Sequence, residues 1–259
     1  IGDEALQTPV VTIAGNNVTP VNTSGNTWTA TYTMAGTDTQ GLIAYTISFQ
    51  DLASNAGTGV NTNSTITFDR TSPTLLSHSL SSSNANSNYA KTGDTVTLNF
   101  TSSESIQTPT VTIGGNTVTA SNIGGNNWRA TYVMTGTDTE GLIAYTINYQ
   151  DLASNAGTPV NTNSTITFDR TAPATPVISL TNPVNLSNQT FVSINGTGEA
   201  NTTFNWSITD GTNTVSGSGT VSAGGVISIT GIDATTLNDG TLTLSITLTD
   251  AAGNNSTAG

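Results

Sequence analysis

The chain has 259 residues and no cysteine, and only 8% of its residues are Asp, Glu, Lys or Arg, which together give a net charge of -12. Four basic residues are too few for a nucleic-acid surface, because phosphate contacts need clustered Lys and Arg. The composition also excludes disulfides and thiolate metal sites, and no apolar run is long enough for direct insertion into a membrane.

The start of the chain reads as a repeat that lacks its first strands. IGDEALQTP aligns with TSSESIQTP from Thr101, so residues 73–100 have no counterpart before it. Two interpretations stay open: the chain is a piece of a longer tandem array, or a neighbouring subunit supplies the strands by donor-strand complementation. In either case something has to cover the open core, because an unpaired edge facing it is costly.

An internal duplication organises the chain. Residues 8–72 and 108–172 align with a shift of 100 residues, and 49 of the 65 pairs are identical. A period near 100 residues is typical of one immunoglobulin-sized sandwich per repeat. The predicted domains are a first repeat at 1–72, a complete second repeat at 73–172, and a divergent third repeat at 173–259 that lacks its last strand.

Alternating apolar residues predict seven strands in the second repeat. These are Thr74–Leu80, Asp94–Thr101, Pro109–Ile113, a short strand around Val118, Trp128–Met134, Gly141–Tyr149 and Ser164–Phe168. The third repeat gives Val177–Leu180, Gln189–Asn195, Thr203–Thr209, Thr214–Gly219, Val226–Thr230 and Thr241–Thr249. Short strands separated by Gly and Asn turns predict an all-β chain of tandem immunoglobulin-like antiparallel sandwiches in an elongated array.

Acidic residues recur at one pole of every predicted sandwich. In this fold the B-C and F-G loops lie where the chain enters, so the linker from the preceding repeat meets both loops. The residues predicted at these junctions are Glu4, Asp51 and Asn55 in the first repeat; Asp69, Glu104, Asp151 and Asn155 in the second; and Asp169, Glu199, Asp250 and Asn254 in the third.

Calcium is the metal that this pattern favours. It takes six to eight oxygens from carboxylates, amides, carbonyls and water, whereas zinc prefers His or Cys. We therefore expect Ca²⁺ at the junctions, where it would replace disulfides as a staple. Plain turn chemistry is the alternative: Asx side chains close loops, and Asp69 and Asp169 could pair with the adjacent Arg70 and Arg170. Four further acids precede strand F at the opposite pole: Asp38, Asp138, Glu140 and Asp239. They could add ligands from the preceding repeat, but we favour surface turn residues.

Several stretches resemble a known family. DAAGN at Asp250, its variant DLASN at Asp51 and Asp151, DRTAP at Asp169 and LNDGTLTLSITLTDAAGN from Leu237 are similar to the bacterial immunoglobulin-like repeats of large cell-surface adhesins and biofilm-associated proteins. The resemblance covers all three repeats, although the first two depart from the DAAGN wording. It implies stacked extracellular extenders, often with calcium at the junctions, which points to Asp69 and Asp169.

The predicted function is a structural stalk segment of a bacterial surface adhesin that supports cell adhesion or biofilm formation. Its partners would be neighbouring repeats of the same chain or of adjacent subunits. No enzyme is expected, because His78 is the only histidine and neither other repeat has it, and no nucleophile elbow or phosphate loop is present. The alternative is a carbohydrate- or protein-binding module; Trp28, Trp128 and Trp206 could stack on sugars, but their strand positions favour core packing.

Overall fold

A computed structural model describes residues 2–259 of the chain. Across those residues the regular secondary structure is β-strand, and no helix interrupts it. The strands form several sheets in which every pairing but one is antiparallel. The all-β prediction is confirmed. In the same residues, no helix is long and apolar enough to cross a membrane.

The first repeat forms two small sheets. The four-stranded sheet has the order β2-β1-β5-β6, and β3 and β4 make a separate hairpin. The strands are β1 (Val10–Ile13), β2 (Asn16–Val18), β3 (Val21–Ser24), β4 (Thr27–Thr29), β5 (Gly41–Ser48) and β6 (Val60–Phe68). Most apolar side chains that face the interior remain partly exposed, because residues 2–72 contain no further strand to cover them.

The second repeat adds strands that the first does not have. Its strands are β7 (Leu75–Ser82), β8 (Tyr89–Ala90), β9 (Thr95–Ser102), β10 (Thr110–Ile113), β11 (Asn116–Gly124), β12 (Asn127–Val133), β13 (Gly141–Asn148) and β14 (Val160–Phe168). They follow the order β7-β9-β12-β11-β10-β13-β14-β8. The predicted short strand around Val118 is longer than expected, because β11 pairs first with β10 and then with β12.

Alternation along the strands of the second repeat produces its core. On β9, Val96 and Leu98 are 0% exposed and Phe100 is 2% exposed, as the sequence pattern predicts. Phe100 stacks on Trp128 with ring centroids 6.4 Å apart and planes inclined by 8°. Trp128 is therefore a core residue, and each buried side chain of this kind stabilises the fold by about 1.5–3 kcal/mol.

The third repeat consists of two three-stranded sheets around one core. The sheet orders are β15-β16-β19 and β18-β17-β20. The strands are β15 (Val177–Leu180), β16 (Val192–Thr197), β17 (Thr203–Thr209), β18 (Thr214–Thr220), β19 (Val226–Ile232) and β20 (Thr243–Thr249). Trp206 packs against the buried cluster of this repeat, which supports the core interpretation of that residue as well.

The chain divides into two compact units. One contains residues 2–74 together with Ser103–Gln107 and Tyr149–Thr158, and the other contains Leu75–Ser102, Thr108–Asn148 and Pro159–Gly259. The predicted B-C and F-G loops of the second repeat therefore belong to the same compact unit as the linker that carries Asp69. The repeat boundaries at 73 and 173 stay predictions from the sequence.

Candidate metal centre

Three carboxylates converge at the predicted first junction. Asp69 follows the end of β6, Glu104 lies two residues beyond β9, and Asp151 lies three residues beyond β13. Each contributes one oxygen to a group in which all three oxygens lie within 4.8 Å of one another. Among residues 2–259 this is the one place where three potential metal-ligating side chains meet. Asp151 is only 1% exposed, and the other two are half-buried.

Asn155 connects the linker to the F-G loop at this junction. Its backbone N–H and its Nδ2 donate to the two carboxylate oxygens of Asp151, both at 2.8 Å. The same Nδ2 donates to the backbone carbonyl of Asp69 at 3.2 Å. From the B-C loop, Gln107 Nε2 donates to the carbonyl of Asp151 at 3.0 Å. Hydrogen bonds thus hold the three segments together around the carboxylates.

Negative charge is concentrated at this junction. Burial, and then the charges of Asp69 and Asp151, raise the pKa of Glu104. The alternative in which Asp69 pairs with Arg70 is not what the structure shows: the Asp69 Oδ1 atom accepts a hydrogen bond from the Thr71 N–H at 2.9 Å. Asp69 therefore does close a turn, as an Asx residue commonly does.

The donor set suits calcium. Calcium holds its oxygen ligands at 2.3–2.6 Å, so two ligands of one ion lie at most about 5 Å apart. The oxygens at this junction fall within that span, and all of them belong to carboxylates. No His or Cys lies in the group, so the ligands that zinc prefers are missing from it.

The predicted second junction repeats part of this arrangement. Asn254 Nδ2 donates to Asp250 Oδ2 at 2.9 Å and to the carbonyl of Asp169 at 3.1 Å, in the same way as Asn155. The remaining predicted ligand, Glu199, is exposed and lies outside any group of three carboxylates. Its backbone carbonyl instead accepts a hydrogen bond from Thr202 Oγ1 at 2.7 Å.

Glu140 lies near the second junction, which agrees with the less favoured of its two interpretations, a ligand from the preceding repeat, better than with a plain surface turn. Burial raises the pKa of Asp169, and the charges of Asp250 and Glu140 raise it further. Glu140 itself accepts hydrogen bonds from Thr171 Oγ1 and from the Arg170 N–H, and its Oε1 lies 4.0 Å from Arg170 Nε. Arg170 therefore pairs with Glu140 rather than with Asp169, and it offsets part of the negative charge here.

A feature that sequence reasoning missed is a set of donors on the loop between β7 and β9. Lys91 Nζ donates to the Gly253 carbonyl at 2.5 Å, Asn84 Nδ2 to the Ala252 carbonyl at 2.9 Å, and Asn86 Nδ2 to the Ala251 carbonyl at 3.1 Å. These contacts satisfy three successive carbonyls of the DAAGN loop. Only the fact that Lys91 is the sole lysine could have drawn attention to it.

The first repeat shows which of these hydrogen bonds form within the F-G loop without a linker beside it. Asn55 donates to Asp51 through its N–H at 2.8 Å and through Nδ2 at 2.7 Å, and these bonds lower the pKa of Asp51. Asn55 is exposed and Glu4 is exposed, and among residues 2–259 they meet no third carboxylate. Closure of the DLASN loop therefore needs no linker, and Asn155 and Asn254 add a bond to a linker carbonyl.

The acids before strand F are turn residues. Asp138 is 7% exposed and accepts hydrogen bonds from Thr135 N, Tyr132 Oη and Asn116 Nδ2 at 2.7, 3.0 and 3.0 Å. Asp38 makes the equivalent three bonds in the first repeat. Both carboxylates are satisfied by the protein and close the turn, but they are buried and not at the surface as predicted.

Similarity to known proteins is limited to structure. No family model matches the sequence, and no curated protein matches it. A solved structure described as "Structural insight into host cell surface retention of a 1.5-MDa bacterial ice-binding adhesin" is 20% identical, with a TM-score of 0.50 over 98% of this chain and 84% of that chain. A second, "Ca2+-stabilized adhesin helps an Antarctic bacterium reach out and bind ice", is 22% identical, with a TM-score of 0.53 over 97% of this chain.

The chain spans 63% of the second of these structures, which is less than two thirds of its length. A third solved structure, a tetra-tandem repeat in the extending region of a large adhesion protein, is 25% identical over 100% of this chain and 68% of that chain, with a TM-score of 0.32. The two similarities at TM-scores of 0.50 and 0.53 show that this chain shares its β-sandwich fold with two solved structures that are described as bacterial adhesins.

Proposed function

We propose that this chain is an extender segment of a bacterial surface adhesin. In this proposal its immunoglobulin-like sandwiches stack as a stalk outside the cell, and calcium at a junction between repeats makes the stalk stiff. The stalk would hold an adhesive part away from the cell and so support adhesion or biofilm formation. The direct partners of each repeat would be the neighbouring repeats.

The observation that carries the proposal is the convergence of Asp69, Glu104 and Asp151. These residues come from a linker and two loops that are far apart in sequence, yet their carboxylate oxygens lie within 4.8 Å of one another. Three like charges at this separation repel one another unless a cation or a proton is present. A bound calcium ion would turn that repulsion into a cross-link between the linker and both loops.

Near-identity of the first two repeats also supports a stalk. A duplicated sandwich adds length, whereas a single recognition site needs one copy. The structural similarity to two bacterial adhesins, one of them described as Ca²⁺-stabilised, is in keeping with this role. Catalysis forms no part of the proposal: the sole histidine, His78, is an exposed strand residue whose Nδ1 is hydrogen-bonded to Tyr145 Oη at 2.8 Å.

Calcium titration of the chelator-treated full chain tests the proposal. Extracellular calcium modules bind with Kd values of about 0.1–1 mM. Calcium at about 10 mM would then stabilise the folded state by about 1.4–2.7 kcal/mol, which thermal unfolding detects as a rise in Tm. Isothermal titration calorimetry gives the number of sites, and we expect one site at the first junction.

Asp69→Asn and Asp169→Asn form a matched pair for this titration. Each occupies the same position in a DRT linker, and asparagine keeps the oxygen that accepts the Thr71 or Thr171 N–H. We expect Asp69→Asn to remove most of the calcium response and Asp169→Asn to retain it, because the second linker joins no group of three carboxylates. A chain that binds no calcium, or a response that survives in Asp69→Asn, would refute the junction site.

A further inference from the structure

The loop between β7 and β9 in the second repeat is held in place by hydrogen bonds within itself. Asp94 Oδ2 accepts a hydrogen bond from Asn84 Nδ2 at 2.6 Å and another from the backbone N–H of Lys91 at 2.7 Å. Asn84 Oδ1 accepts a hydrogen bond from the backbone N–H of Asn86 at 2.9 Å. The three residues whose side chains contact the third repeat are therefore positioned by their own loop, which lowers the entropic cost of that contact. We call residues 84–94 the docking loop.

The docking loop is also joined to the linker that leads into the third repeat. β8 (Tyr89–Ala90) pairs in parallel with Thr167 and Phe168 at the end of β14. The backbone carbonyl of Ala90 then accepts a hydrogen bond from the N–H of Asp169 at 2.9 Å. The loop consequently lies at the point where the third repeat begins.

The docking loop binds the DAAGN loop through main-chain acceptors. Its three side-chain donors reach the successive carbonyls of Ala251, Ala252 and Gly253, and the ammonium of Lys91 lies 2.5 Å from the last of these oxygens. A hydrogen bond to a backbone carbonyl does not depend on which side chain that residue carries. Selectivity for one partner loop over another must therefore come from the space around the carbonyls.

Gly253 provides the space that the lysine occupies. A Cβ atom at this position would lie 3.2 Å from Lys91 Nζ, which is closer than ordinary van der Waals contact. Gly253 also has a φ of +84°, a backbone conformation that other residues seldom adopt. The approach of the ammonium to this carbonyl thus uses the absence of a side chain.

The DLASN loops carry a serine where the DAAGN loop carries Gly253. Ser54 and Ser154 have φ values of +70° and +72°, so both kinds of loop share the same backbone conformation at this position. The Ser154 hydroxyl accepts a hydrogen bond from Gln107 Nε2 at 3.2 Å, and Ser54 is held in the same way. Serine is therefore compatible with the loop itself, but its Cβ would crowd a lysine placed as Lys91 is.

We propose that the docking loop is an interaction surface for the F-G loop of a following repeat, and that it selects F-G loops with glycine at the fourth position. A loop of the DAAGN kind admits the lysine and is held without a metal. A loop of the DLASN kind excludes the lysine, and the one at the first junction lies instead at the group of three carboxylates. The selection rests on hydrogen bonds and space alone, so it does not depend on the proposed calcium function.

Acylation of the sole lysine tests the proposal. An N-hydroxysuccinimide ester reacts with the free amine of the full chain in chelator, and mass spectrometry of the peptide that contains Lys91 gives the rate. Gly253→Ser should raise that rate by about tenfold or more, as expected when a charge-assisted hydrogen bond is lost. The F-G loop should remain folded, because the two DLASN loops already have serine at this position with a similar φ.

Two control variants separate crowding of the lysine from other effects. Ala251→Leu makes the other change that converts DAAGN to DLASN; it should leave the rate unchanged, because Ala251 is exposed and contributes only its carbonyl to the contact. Gly211→Ser places serine at a φ of +92° in the turn between β17 and β18, where a Cβ would meet nothing within 4 Å. It should also leave the rate unchanged.

The proposal fails if Gly253→Ser does not raise the acylation rate, or if the lysine of the unsubstituted chain already reacts as fast as in the unfolded chain. It also fails if either control raises the rate as much as Gly253→Ser does. The lysine would then be responding to general loosening of the third repeat and not to the residue beside it.

Discussion

At the residue scale, the two asparagines that reach a linker carbonyl distinguish the junctions from ordinary turns. Asn155 and Asn254 each donate to a carboxylate of their own loop and to the carbonyl of the linker aspartate. Asn55 closes the same loop without such a linker contact. The spacing of Asp and Asn in DLASN and DAAGN therefore allows the loop to close on itself. The additional bond from Asn155 or Asn254 to a linker carbonyl connects the closed loop to the preceding repeat.

Asn155→Ala should be more destabilising than Asn55→Ala. The first variant removes the Nδ2 donor to the Asp69 carbonyl and to Asp151 Oδ2, while the backbone N–H still donates to Asp151 Oδ1, so we expect a cost of about 1–3 kcal/mol. The second removes bonds at an exposed loop, so its cost should be at the low end of that range or below it. Chemical denaturation of both variants in chelator measures the difference. Equal losses would show that the bond to the linker contributes nothing.

Glu104→Gln should stabilise the calcium-free chain at neutral pH. The pKa of Glu104 is raised from its ordinary value of 4.5, so the folded chain holds this proton more tightly than the unfolded chain. Stability in chelator therefore falls as the pH rises from about that value, and the glutamine variant avoids the loss. Glu4→Gln is the matched control, since Glu4 is exposed and, among residues 2–259, belongs to no group of three carboxylates.

Tm measurements of these two variants across pH 4–8 check the prediction. Only Glu104→Gln should flatten the decline of Tm with rising pH, and it should weaken the calcium response at the same time. A Glu104→Gln profile that parallels the unsubstituted chain would contradict the clustering of charge at this junction.

At the element scale, a strand's sequence does not by itself decide its burial. β5 and β13 share the sequence GLIAYTI, yet Tyr145 is buried and Tyr45 is only half-buried, because β9 and its neighbours are present in one repeat only. Alternation was enough to place Val96, Leu98 and Phe100 in a core. The sequence pattern could not show that β11 pairs with strands on both sides, since a strand that changes partners keeps the same period.

Asp210 connects the turn between β17 and β18 to the loop before β20 through hydrogen bonds. Its carboxylate accepts hydrogen bonds from the N–H groups of Asn238, Asn213 and Thr212, which lower its pKa from 3.8 to about 2. A lowered pKa means that its stabilisation is present above about pH 3.8 and is lost as the pH falls towards 2. Asp210→Asn should therefore lower the Tm at pH 7 and match the unsubstituted chain near pH 2. A constant Tm difference at both pH values would exclude this role.

The loop between β7 and β9 gives the third repeat a contact that needs no metal. Lys91→Met removes the charged donor to the Gly253 carbonyl, and such bonds contribute about 1.5–3 kcal/mol. We expect this loss with or without calcium. Arg129→Met is the control, because Arg129 is exposed and donates only to Asn99. Denaturation in chelator and in calcium checks the prediction, and a Lys91→Met effect no larger than the control would contradict it.

At the scale of the whole molecule, acidic residues that recur at the same positions of each repeat were enough to predict the metal centre. Side-chain contacts between segments far apart in sequence could not be predicted in this way. Asp69, Glu104 and Asp151 were identified because a linker and two loops of a known sandwich meet at one pole. Glu199 was assigned by analogy with Glu104, but it is exposed, and Glu140 lies near Asp169 in its place. For Glu140, the sequence left a ligand role for the preceding repeat open but favoured a surface turn, because spacing could not decide between them. The Lys91 contact does not follow from sequence spacing, because it joins segments that only the packing of different strands brings together.

We propose that calcium at Asp69, Glu104 and Asp151 stiffens the chain into a stalk. Small-angle X-ray scattering of the full chain, first in chelator and then in about 10 mM calcium, measures this most directly. With calcium we expect a larger maximum dimension and a narrower distribution of distances within the molecule. Asp69→Asn combined with Glu104→Gln should abolish this change. Scattering curves that coincide with and without calcium, or a change that persists in the double variant, would contradict the proposal.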